Sequence, residues 1–466
     1  MPSRRRYIAA LCSSTLFLSG CSSQNPDDGG PSQSRVQRHV TPTPPRDETG
    51  DDADTDDDTS GDEDPEADRL DVRDYGAEVD GETDDTHAVL DAIEAAEEGD
   101  TVYFPSGTTL VSDNATDERG AISIHSEHIP HNLTLQGEGR ESVIRMADDQ
   151  DESHSVIRLA GRESFGGLVI QHLQIDGNRG AQTGTLGHGI LAYNDEGVGA
   201  PAHVRVRDAW FTDCSQAGIS VFRGGFVIDR CTLTNCTIHG INIGNASGWD
   251  ESLPPVVVRR CLCTENGKDG PGGTYGINCS GGNILVEDSV CANNGQGTKT
   301  TDGSINVTYR RVRLQNNDFY GYIRAGAETE NRSTVTFDRV VASNNGEGGF
   351  RFSRDTDYRV PTDIIATGNG NINVVLTKNA TLEAERVWAN RANGSYGLRE
   401  NSISGGFIRE FYHYDNQSGA IDGGENLDIS VVESRDRTDL ASVPTVLEVG
   451  AGTTWARRNS AGIYRP

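Results

Sequence analysis

Side chains that could hold a sugar chain recur between His239 and Arg399. Amide and guanidinium groups suit hydroxyls and carboxylates, and Arg can pair with a carboxylate through two parallel hydrogen bonds. Aligning the repeats of the chain places one outward residue per repeat in a common column. The members of this column that we predict to bind substrate are Asn242, Asn278, Asn306, Arg351, Asn373 and Arg399. An acidic polysaccharide or surface glycan is therefore the expected partner.

Residues beside that column have the types needed for chemistry on a uronate. β-Elimination needs Arg or Ca²⁺ to neutralise the carboxylate and a base near the C5 proton of the sugar. Hydrolysis instead needs two carboxyl groups, one of which donates a proton while the other activates water or attacks. The residues that we predict to be catalytic are His239, Tyr275, Asp302 and Arg324. Residue spacing indicates no metal site, and Ca²⁺ is the one cofactor that elimination could use.

Two short sequence motifs, which we call the first and second phrases, repeat within residues 168–352 and must position these side chains. The first phrase ends in Cys or Asn, as in Val290-Cys-Ala-Asn-Asn294. The second phrase starts with Gly and alternates apolar and variable residues, as in Gly240-Ile-Asn-Ile243. The ends of successive first phrases lie 22, 30, 28, 23 and 28 residues apart. A period of this size indicates a solenoid, whose units bury their apolar sides against one another.

The residue pattern inside each repeat indicates strands. Both phrases alternate apolar and polar residues with period two, and no long helical pattern separates them. The sequence therefore predicts an all-β fold, a right-handed parallel β-helix of about 10–12 coils stacked by parallel strand pairing. The Asn that ends the first phrase would then stack on its counterparts as an amide ladder at a turn.

Seven of the nine Cys residues lie within the repeats. The alignment stacks them in pairs on neighbouring coils, which would bring their Cα atoms within disulfide range. The pairs are Cys214 with Cys236, Cys231 with Cys261 and Cys263 with Cys291. Because Cys also behaves as a small apolar residue in a core, we predict free thiols and keep disulfides as the alternative.

A helix and a short strand precede the repeats. Val89, Ala92 and Ile93 have the spacing of one apolar helix face, and a helix here would cover the open end of the coil stack. The stretches Val72–Thr86 and Val102–Gly107 resemble the opening of pectate lyase superfamily β-helix proteins, notably the rhamnogalacturonase and polygalacturonase-like group. The resemblance implies an extracellular protein that acts on acidic polysaccharide. It leaves the reaction open, because one scaffold of this kind hosts many functions.

The motifs that mark the polygalacturonase-type hydrolases are incomplete. Gly187-His188-Gly189 is present, but no Asp-Asp coil precedes it and no Arg-Ile-Lys follows it. The sequence thus favours a lyase or glycoside hydrolase acting on uronate-containing glycans, with hydrolysis the less supported reaction. The alternative is a non-catalytic glycan-binding or adhesive surface protein.

The charge balance indicates an environment of concentrated salt and argues against a nucleic-acid partner. The net charge is -30, and only three of the 41 basic residues are Lys. An acidic, Lys-poor surface keeps a protein soluble in concentrated salt, so we expect a halophilic source. A negative surface repels nucleic acid, and no nucleic-acid partner is expected.

The N-terminal region predicts export and anchoring. Arg4-Arg-Arg6 resembles a twin-arginine signal, a short apolar stretch follows, and Leu18-Ser-Gly-Cys21 resembles a lipobox with Cys21 as the lipidated residue. We predict a signal peptide over residues 1–21, a disordered acidic tether over 22–68, the β-helix over 69–430 and C-terminal cap strands and tail over 431–466. The protein would be lipid-anchored to the outer face of the cytoplasmic membrane, at the cell surface, with this anchor as its only membrane contact.

Overall fold

The computed structural model describes residues 68–112, 120–150, 154–184, 187–193, 200–244, 252–268, 273–301, 303–325, 333–401, 405–423, 426–434, 447–448 and 454–455. The predicted signal peptide with Cys21, nearly all of the predicted tether and the predicted catalytic residue Asp302 lie outside these ranges.

The strands form three parallel stacks, which we call the first, second and third sheets, and most coils contribute one strand to each. The first sheet comprises Arg69–Asp71, Thr101–Tyr103, Thr134–Gln136, Val169–Gln171, Val204–Arg207, Phe226–Asp229, Val256–Arg259, Gly282–Glu287, Ser304–Arg310 and Ser333–Asp338. The second comprises Asp80–Asp84, Gly107–Val111, Ser142–Met146, Gln174–Asp176, Trp210–Thr212, Thr232–Thr234, Leu262–Thr264, Val290–Ala292, Arg313–Gln315 and Val340–Ser343.

The third sheet is a continuous stack of twelve strands. They are Gly120–His125, Ser155–Ala160, Ile190–Ala192, Ala217–Val221, His239–Ile243, Tyr275–Cys279, Gln296–Thr300, Tyr320–Arg324, Gly348–Ser353, Ile372–Thr377, Tyr396–Asn401 and Gly419–Asp422. The predicted all-β, right-handed parallel β-helix of 10–12 coils is confirmed.

Towards the C-terminal end the first and second sheets merge, because single long strands pair with both. These strands are Thr356–Thr367, Thr381–Asn390, Gly405–Tyr414 and Leu427–Ser434. Leu447–Glu448 and Thr454–Trp455 pair antiparallel. Short 3-10 helices span Val72–Tyr75 and Arg179–Ala181.

The predicted capping helix spans Thr86–Ala95. Its Val89 and Ala92 are fully buried and pack into the same apolar core as the first coils. No helix in the described part of the chain is long and apolar enough to cross a membrane.

The interior follows from the period-two pattern. One inward position of the third sheet holds Ile219, Ile241 and Ile277 on successive coils, all fully buried. On later coils the aligned positions hold Tyr322 and Phe350. The core thus changes from aliphatic to aromatic along the axis while each coil keeps its place in the stack.

The predicted amide ladder is present at the turn between the second and third sheets, and its members are Asn266, Asn294, Asn317, Asn345 and Asn369. The Nδ2 of Asn294 donates to the carbonyl of Cys263 and to Oδ1 of Asn317, and its Oδ1 accepts from the backbone N–H and Nδ2 of Asn266. All four hydrogen-bonding positions of a fully buried amide are therefore satisfied.

Asn373 belongs to this ladder, so its prediction as an outward substrate-binding residue is wrong. The next coil has Ala392 where an amide would be needed. Asn373 accepts from Asn369 Nδ2 and donates to Asn416 Oδ1 and to the carbonyl of Asn390. The side chain is fully buried and bridges the gap that Ala392 leaves.

The predicted free thiols are also confirmed, since the seven cysteines of the coils are all buried and unbridged. Burial raises the pKa of the Cys231 and Cys263 thiols above the ordinary range. These thiols therefore stay protonated and unreactive and contribute to packing.

Candidate functional site

The outer face of the third sheet presents one side chain per coil in a straight row, which we call the outer row. Strand pairing defines its members on successive coils as Arg158, Leu191, Ser220, Asn242, Asn278, Lys299, Ile323, Arg351, Val375, Arg399 and Asp422. A second position, at the start of several strands, holds His239, Tyr275 and Gln296 on adjacent coils.

A glycine after each of these first residues allows the aromatic side chains to face outward. A Cβ on Gly240 would lie 2.7 Å from the carbonyl oxygen of Gly276 and 3.0 Å from Nδ2 of Asn266 in the ladder. A Cβ on Gly276 would lie 2.9 Å from Nδ2 of Asn294. The inner ladder therefore requires glycine at this position, and the residue before it points away from the core.

His239, Tyr275 and Lys299 form a compact cluster on three neighbouring coils. The rings of His239 and Tyr275 have centroids 5.4 Å apart, and the Lys299 ammonium lies 5.0 Å from the Tyr275 ring centroid. Lys299 is a half-buried member of the outer row. The cluster combines a cation, a phenol and an imidazole, the groups that uronate elimination needs.

A backbone contact determines which nitrogen of His239 carries the proton. The backbone N–H of Tyr275 donates to Nδ1 of His239 at 3.2 Å, which assigns the proton of the neutral ring to Nε2. Burial, together with the positive charge of Lys299, lowers the pKa of His239 to about 3. At neutral pH this imidazole is uncharged and is better placed to donate a hydrogen bond through Nε2 than to accept a proton.

Tyr275 is almost fully buried, and burial raises the pKa of its phenol to about 12. In the unliganded protein the phenol is therefore protonated at neutral pH. Lys299 lies over its ring and could bind the carboxylate of a sugar next to it. This makes Tyr275 the residue that could exchange a proton with a uronate held by Lys299.

The predicted amides Asn242 and Asn278 are on the outer row, where they bond to neighbours. Asn278 Nδ2 donates to Asn242 Oδ1 at 2.8 Å, and Asn242 Nδ2 donates to Ser220 Oγ at 2.7 Å. The Ser280 hydroxyl donates to Asn278 Oδ1 at 2.8 Å. These contacts fix the amides next to the cluster.

The predicted arginines Arg351 and Arg399 also face outward. Each guanidinium lies over a tyrosine ring, Arg351 at 5.8 Å from the Tyr320 centroid and Arg399 at 5.7 Å from the Tyr396 centroid. Arg399 also donates to Asp422 at 2.8 Å. Both side chains are half-buried, so their charged ends are held on the face while remaining accessible.

Two predicted site residues lie elsewhere. Asn306 is an exposed residue of the first sheet and pairs with Thr334. Arg324 points inward, is only 3% exposed and donates from Nε to Thr356 Oγ1 at 3.0 Å. On that coil Ile323 occupies the outer row, because a shift of one residue moves a side chain to the opposite face of a strand.

Lys299 is the residue that the sequence prediction missed, in favour of Asn306. The third-sheet strand of its coil is Gln296–Thr300, and Ser304–Arg310 belongs to the first sheet. The available signal was Gly297, which is followed by an outward residue at the same distance as in Gly240-Ile-Asn242. Thr298 and Thr300 made the strand look polar, although both are fully buried.

The described residues contain no group of three or more His, Cys, Asp or Glu that could hold a metal ion. Within the described part of the outer row, Asp422 is the one carboxylate, and it is paired with Arg399. The positions of His239, Tyr275, Asn242, Asn278, Arg351 and Arg399 on one face agree with the sequence analysis, while their roles remain predictions.

Comparison with known proteins supports the same fold. Residues 70–163 match the family described as rhamnogalacturonase A/epimerase, pectate lyase-like, and residues 157–323 match the right handed beta helix region. Alginate lyase 7 of Azotobacter vinelandii is 29% identical over 234 residues, which cover 48% of this chain and 22% of that protein. Mannuronan C5-epimerase AlgE2 of the same organism is 26% identical over 306 residues, covering 64% of this chain and 24% of that protein.

Among solved structures, the A-module of mannuronan C-5 epimerase AlgE6 of Azotobacter vinelandii has a TM-score of 0.55 at 19% identity, covering 79% of this chain and all of that chain. This likeness shows a shared fold. The chain spans less than a quarter of the length of the two curated relatives described above. Together, the matches support a place in the pectate lyase-like, right-handed β-helix superfamily.

Proposed function

We propose that this protein acts on an acidic, uronate-containing polysaccharide that lies along the outer row of the third sheet. The observation that carries the proposal is the cluster of Lys299, Tyr275 and His239, because it places a half-buried cation and a half-buried imidazole beside a phenol at the outer face of the third sheet. The similarity to an alginate lyase and to mannuronan epimerases supports a polysaccharide substrate.

Cations on the outer row favour an anionic glycan over a neutral one. Lys299, Arg351 and Arg399 project from this row although the whole chain carries a net charge of -30. A local positive strip on an acidic protein attracts carboxylates to one place. Tyr320 and Tyr396 lie under Arg351 and Arg399, and these half-buried rings supply flat apolar area for sugar rings.

The chemistry that fits the cluster is β-elimination. Lys299 would neutralise the uronate carboxylate and so acidify the C5 proton. Tyr275 in its ionised form would take that proton, the C–H electrons would form the C4–C5 double bond, and the bond from C4 to the glycosidic oxygen would break. The phenol formed at Tyr275 could return the proton to the departing oxygen, which balances the step. His239 would donate a hydrogen bond from Nε2 to the bound sugar.

The direct test is incubation of the purified protein in concentrated salt with a panel of uronate polymers. Elimination is followed by the absorbance of unsaturated uronate, and hydrolysis by reducing ends without that absorbance. We expect unsaturated product from the wild type, with rates about 100-fold lower for Lys299→Met. The matched control is Asn306→Ala, a polar change on the first sheet, which should retain full activity.

Ca²⁺ is the other source of positive charge that the reaction could use, and the same assay separates it from Lys299. Activity that survives chelation and is lost in Lys299→Met would assign the charge to the lysine. Activity that is lost on chelation and restored by Ca²⁺ would assign it to the metal ion.

A non-catalytic glycan-binding protein is the second candidate. It is favoured by the states of the two aromatic groups, since His239 has Nδ1 occupied and the Tyr275 phenol has a pKa of about 12. Both are poor bases at neutral pH. Binding of a uronate polymer with no product in either assay, unaffected by Tyr275→Phe, would support this candidate and refute elimination.

We also propose that the protein is displayed at the cell surface through lipid on Cys21 and that its acidic composition suits high salt. The residue types of the N-terminus support this proposal. In the native host, wild-type protein should fractionate with membranes and Cys21→Ser should not. Recovery of both forms in the same fraction would refute lipid anchoring.

A further inference from the structure

The chain contains ten Asn-x-Ser/Thr sequons, the acceptor sequence for N-linked glycans in secreted proteins. Seven of their asparagines lie in the described residues, and these are Asn132, Asn235, Asn278, Asn306, Asn379, Asn393 and Asn416. Because Asn recurs at the turns of the coils, some sequons arise from the repeat alone. The exposure of each asparagine and of its Ser or Thr therefore decides which sequons a glycan can reach.

Three exposed acceptors lie along one edge of the β-helix, where the chain passes from the third sheet to the first. We call this the third-to-first edge. Asn132 and Asn379 lie in turns that follow third-sheet strands, and Asn306 lies near the start of the first-sheet strand Ser304–Arg310. In each sequon the Thr is half-buried and the residue between is buried, so the Asn and Thr share the outer surface.

The amides of these three asparagines make hydrogen bonds that are exposed to solvent. The donors are Nδ2 of Asn132, Asn306 and Asn379, and the acceptors are Oε1 of Glu98 at 3.5 Å, Oδ1 of Asn283 at 3.2 Å and Oδ1 of Asp355 at 3.1 Å. Water can replace Nδ2 as the partner of these acceptors, so attaching a sugar there costs little.

Two other sequons are held by contacts along the coils. Asn278 is 6% exposed, donates to Asn242 at 2.8 Å and accepts from the hydroxyl of Ser280, its own sequon partner. Arg179 spans both ends of the Asn235 sequon, donating to Asn235 Oδ1 at 2.7 Å and to Thr237 Oγ1 at 3.3 Å. Neither sequon presents a free amide and hydroxyl to solvent.

The last two sequons lie at the turn from the second sheet to the third and are also occluded. Asn416 belongs to the ladder, since its Nδ2 donates to the carbonyl of Ala389 and its Oδ1 accepts from the backbone N–H of Ala392. Asn393 is exposed, but Ser395 of the same sequon is 5% exposed and accepts from Arg399 at 2.9 Å.

We propose that the folded protein is N-glycosylated on Asn132, Asn306 and Asn379, and on none of the other four asparagines. The three acceptors follow the first, seventh and tenth strands of the third sheet. At about 4.8 Å per coil they lie about 29 Å and about 14 Å apart along the axis, so each glycan has its own stretch of the edge. His239 and Tyr275 begin their strands, at the opposite end from this edge.

The donor that the reaction needs is an oligosaccharide linked to a lipid through phosphate. Asn Nδ2 forms a bond to C1 of the first sugar and loses one proton to a base of the transferase. The bond from C1 to the phosphate oxygen breaks, and the lipid phosphate leaves with the electron pair. No oxidant or reductant is required.

The first test is glycan transfer to the purified full-length protein, at a salt concentration that keeps it folded. An oligosaccharyltransferase and its lipid-linked oligosaccharide are added, and mass spectrometry of peptides cleaved after Glu locates the glycans. We expect glycans on Asn132, Asn306 and Asn379 alone. Peptides released before the reaction are unfolded acceptors and should also be modified at Asn278. Transfer to Asn278 in the folded protein, or to none of the three exposed sites, would overturn the proposal.

The second test maps the protein purified from its native host. Thr308→Ala keeps Asn306 but removes its sequon, and we expect it to lose the glycan on Asn306 while retaining those on Asn132 and Asn379. Exported protein without glycans on these three residues would refute the proposal for the native state.

The outcomes are independent of the proposed function. Glycans on the third-to-first edge without turnover of uronans would support this inference and refute elimination. Turnover by a protein that accepts no glycan would support elimination and refute this inference. Transfer to the folded protein in the first test does not depend on lipid anchoring through Cys21, so a failure of the anchoring proposal is distinguishable as well.

Discussion

Asparagine has two different roles in the coils, one in the ladder at the turn before the third sheet and one on the outer face of that sheet. In the inner ladder, Asn294 is fully buried and each of its polar positions is bonded to a neighbouring coil. On the outer row, Asn242 is half-buried and bonds sideways to Ser220 and Asn278, where water can also reach. The same residue type in the same repeat is thus structural inside and available for binding outside. The two roles differ because the ladder amide is fully buried and the outer amide is only half-buried, although the residue type is the same.

The largest effect that we expect is a loss of catalytic rate when a residue of the outer face is changed. Tyr275→Phe removes only the hydroxyl from the outer face, so we expect uronate elimination to fall about 1,000-fold while stability stays within about 1 kcal/mol of the wild type. Initial rates and urea unfolding measure the two quantities. A variant that keeps its activity would remove Tyr275 from the chemistry.

A change in the inner ladder should instead lower the stability of the protein. Asn294→Ala removes the hydrogen bonds that Asn294 makes to the carbonyl of Cys263, to the backbone N–H of Asn266 and to one of the two Nδ2 protons of Asn266 in a dry interior. We therefore expect a loss of about 3 kcal/mol in the free energy of unfolding. Urea unfolding gives the value, and Asn306→Ala on an exposed strand serves as the control. A loss below about 1 kcal/mol would show that the ladder does not stabilise the coils.

The bridge made by Asn373 allows a rescue experiment. Asn373→Gly should cost about 2 kcal/mol, because it removes the amide that links Asn369 with Asn416. Ala392→Asn alone should also destabilise the protein, since Asn373 already fills the space. Combining the two changes should recover most of the loss by restoring the regular ladder position. Additive losses in the double variant would contradict this account of the gap.

The pH dependence of the elimination rate tests whether Tyr275 or His239 is the base. A base must lose its proton before it acts, and burial raises the pKa of Tyr275 to about 12. If Tyr275 is the base, the rate should rise about tenfold per pH unit up to a plateau near that value. If His239 were the base, its pKa of about 3 would leave the rate constant from neutral pH upward. A flat alkaline profile would therefore contradict the assignment to Tyr275.

The sequence was sufficient for the fold and for the ladder because both depend on a repeated pattern. Period two, a repeat of 22 to 30 residues and Asn at most of the turns predict stacked strands. The outer row was harder, because the turn between ladder and strand varies in length. The strand glycine Gly276 lies ten residues after Asn266, whereas the strand glycine Gly297 lies only three residues after Asn294. The predicted register differs from the observed one by one residue at Arg324, which points inward. The predicted strand that contains Asn306 belongs to the first sheet, so Lys299 holds the outer position of that coil.

The smallest expected effect comes from removing an outer amide. Asn278→Ala takes away one donor to Asn242 and one acceptor for Ser280, at a position that is 6% exposed. Because Asn242 is half-buried, water can replace the lost partner, and we expect a loss of about 1 kcal/mol, well below that of Asn294→Ala. Urea unfolding of the two variants under identical salt gives the comparison. Equal losses would mean that the outer amides are as inaccessible to water as the inner ones. Asn242 and Asn278 would then form a second structural ladder, and only Lys299, Arg351 and Arg399 would remain to bind a glycan.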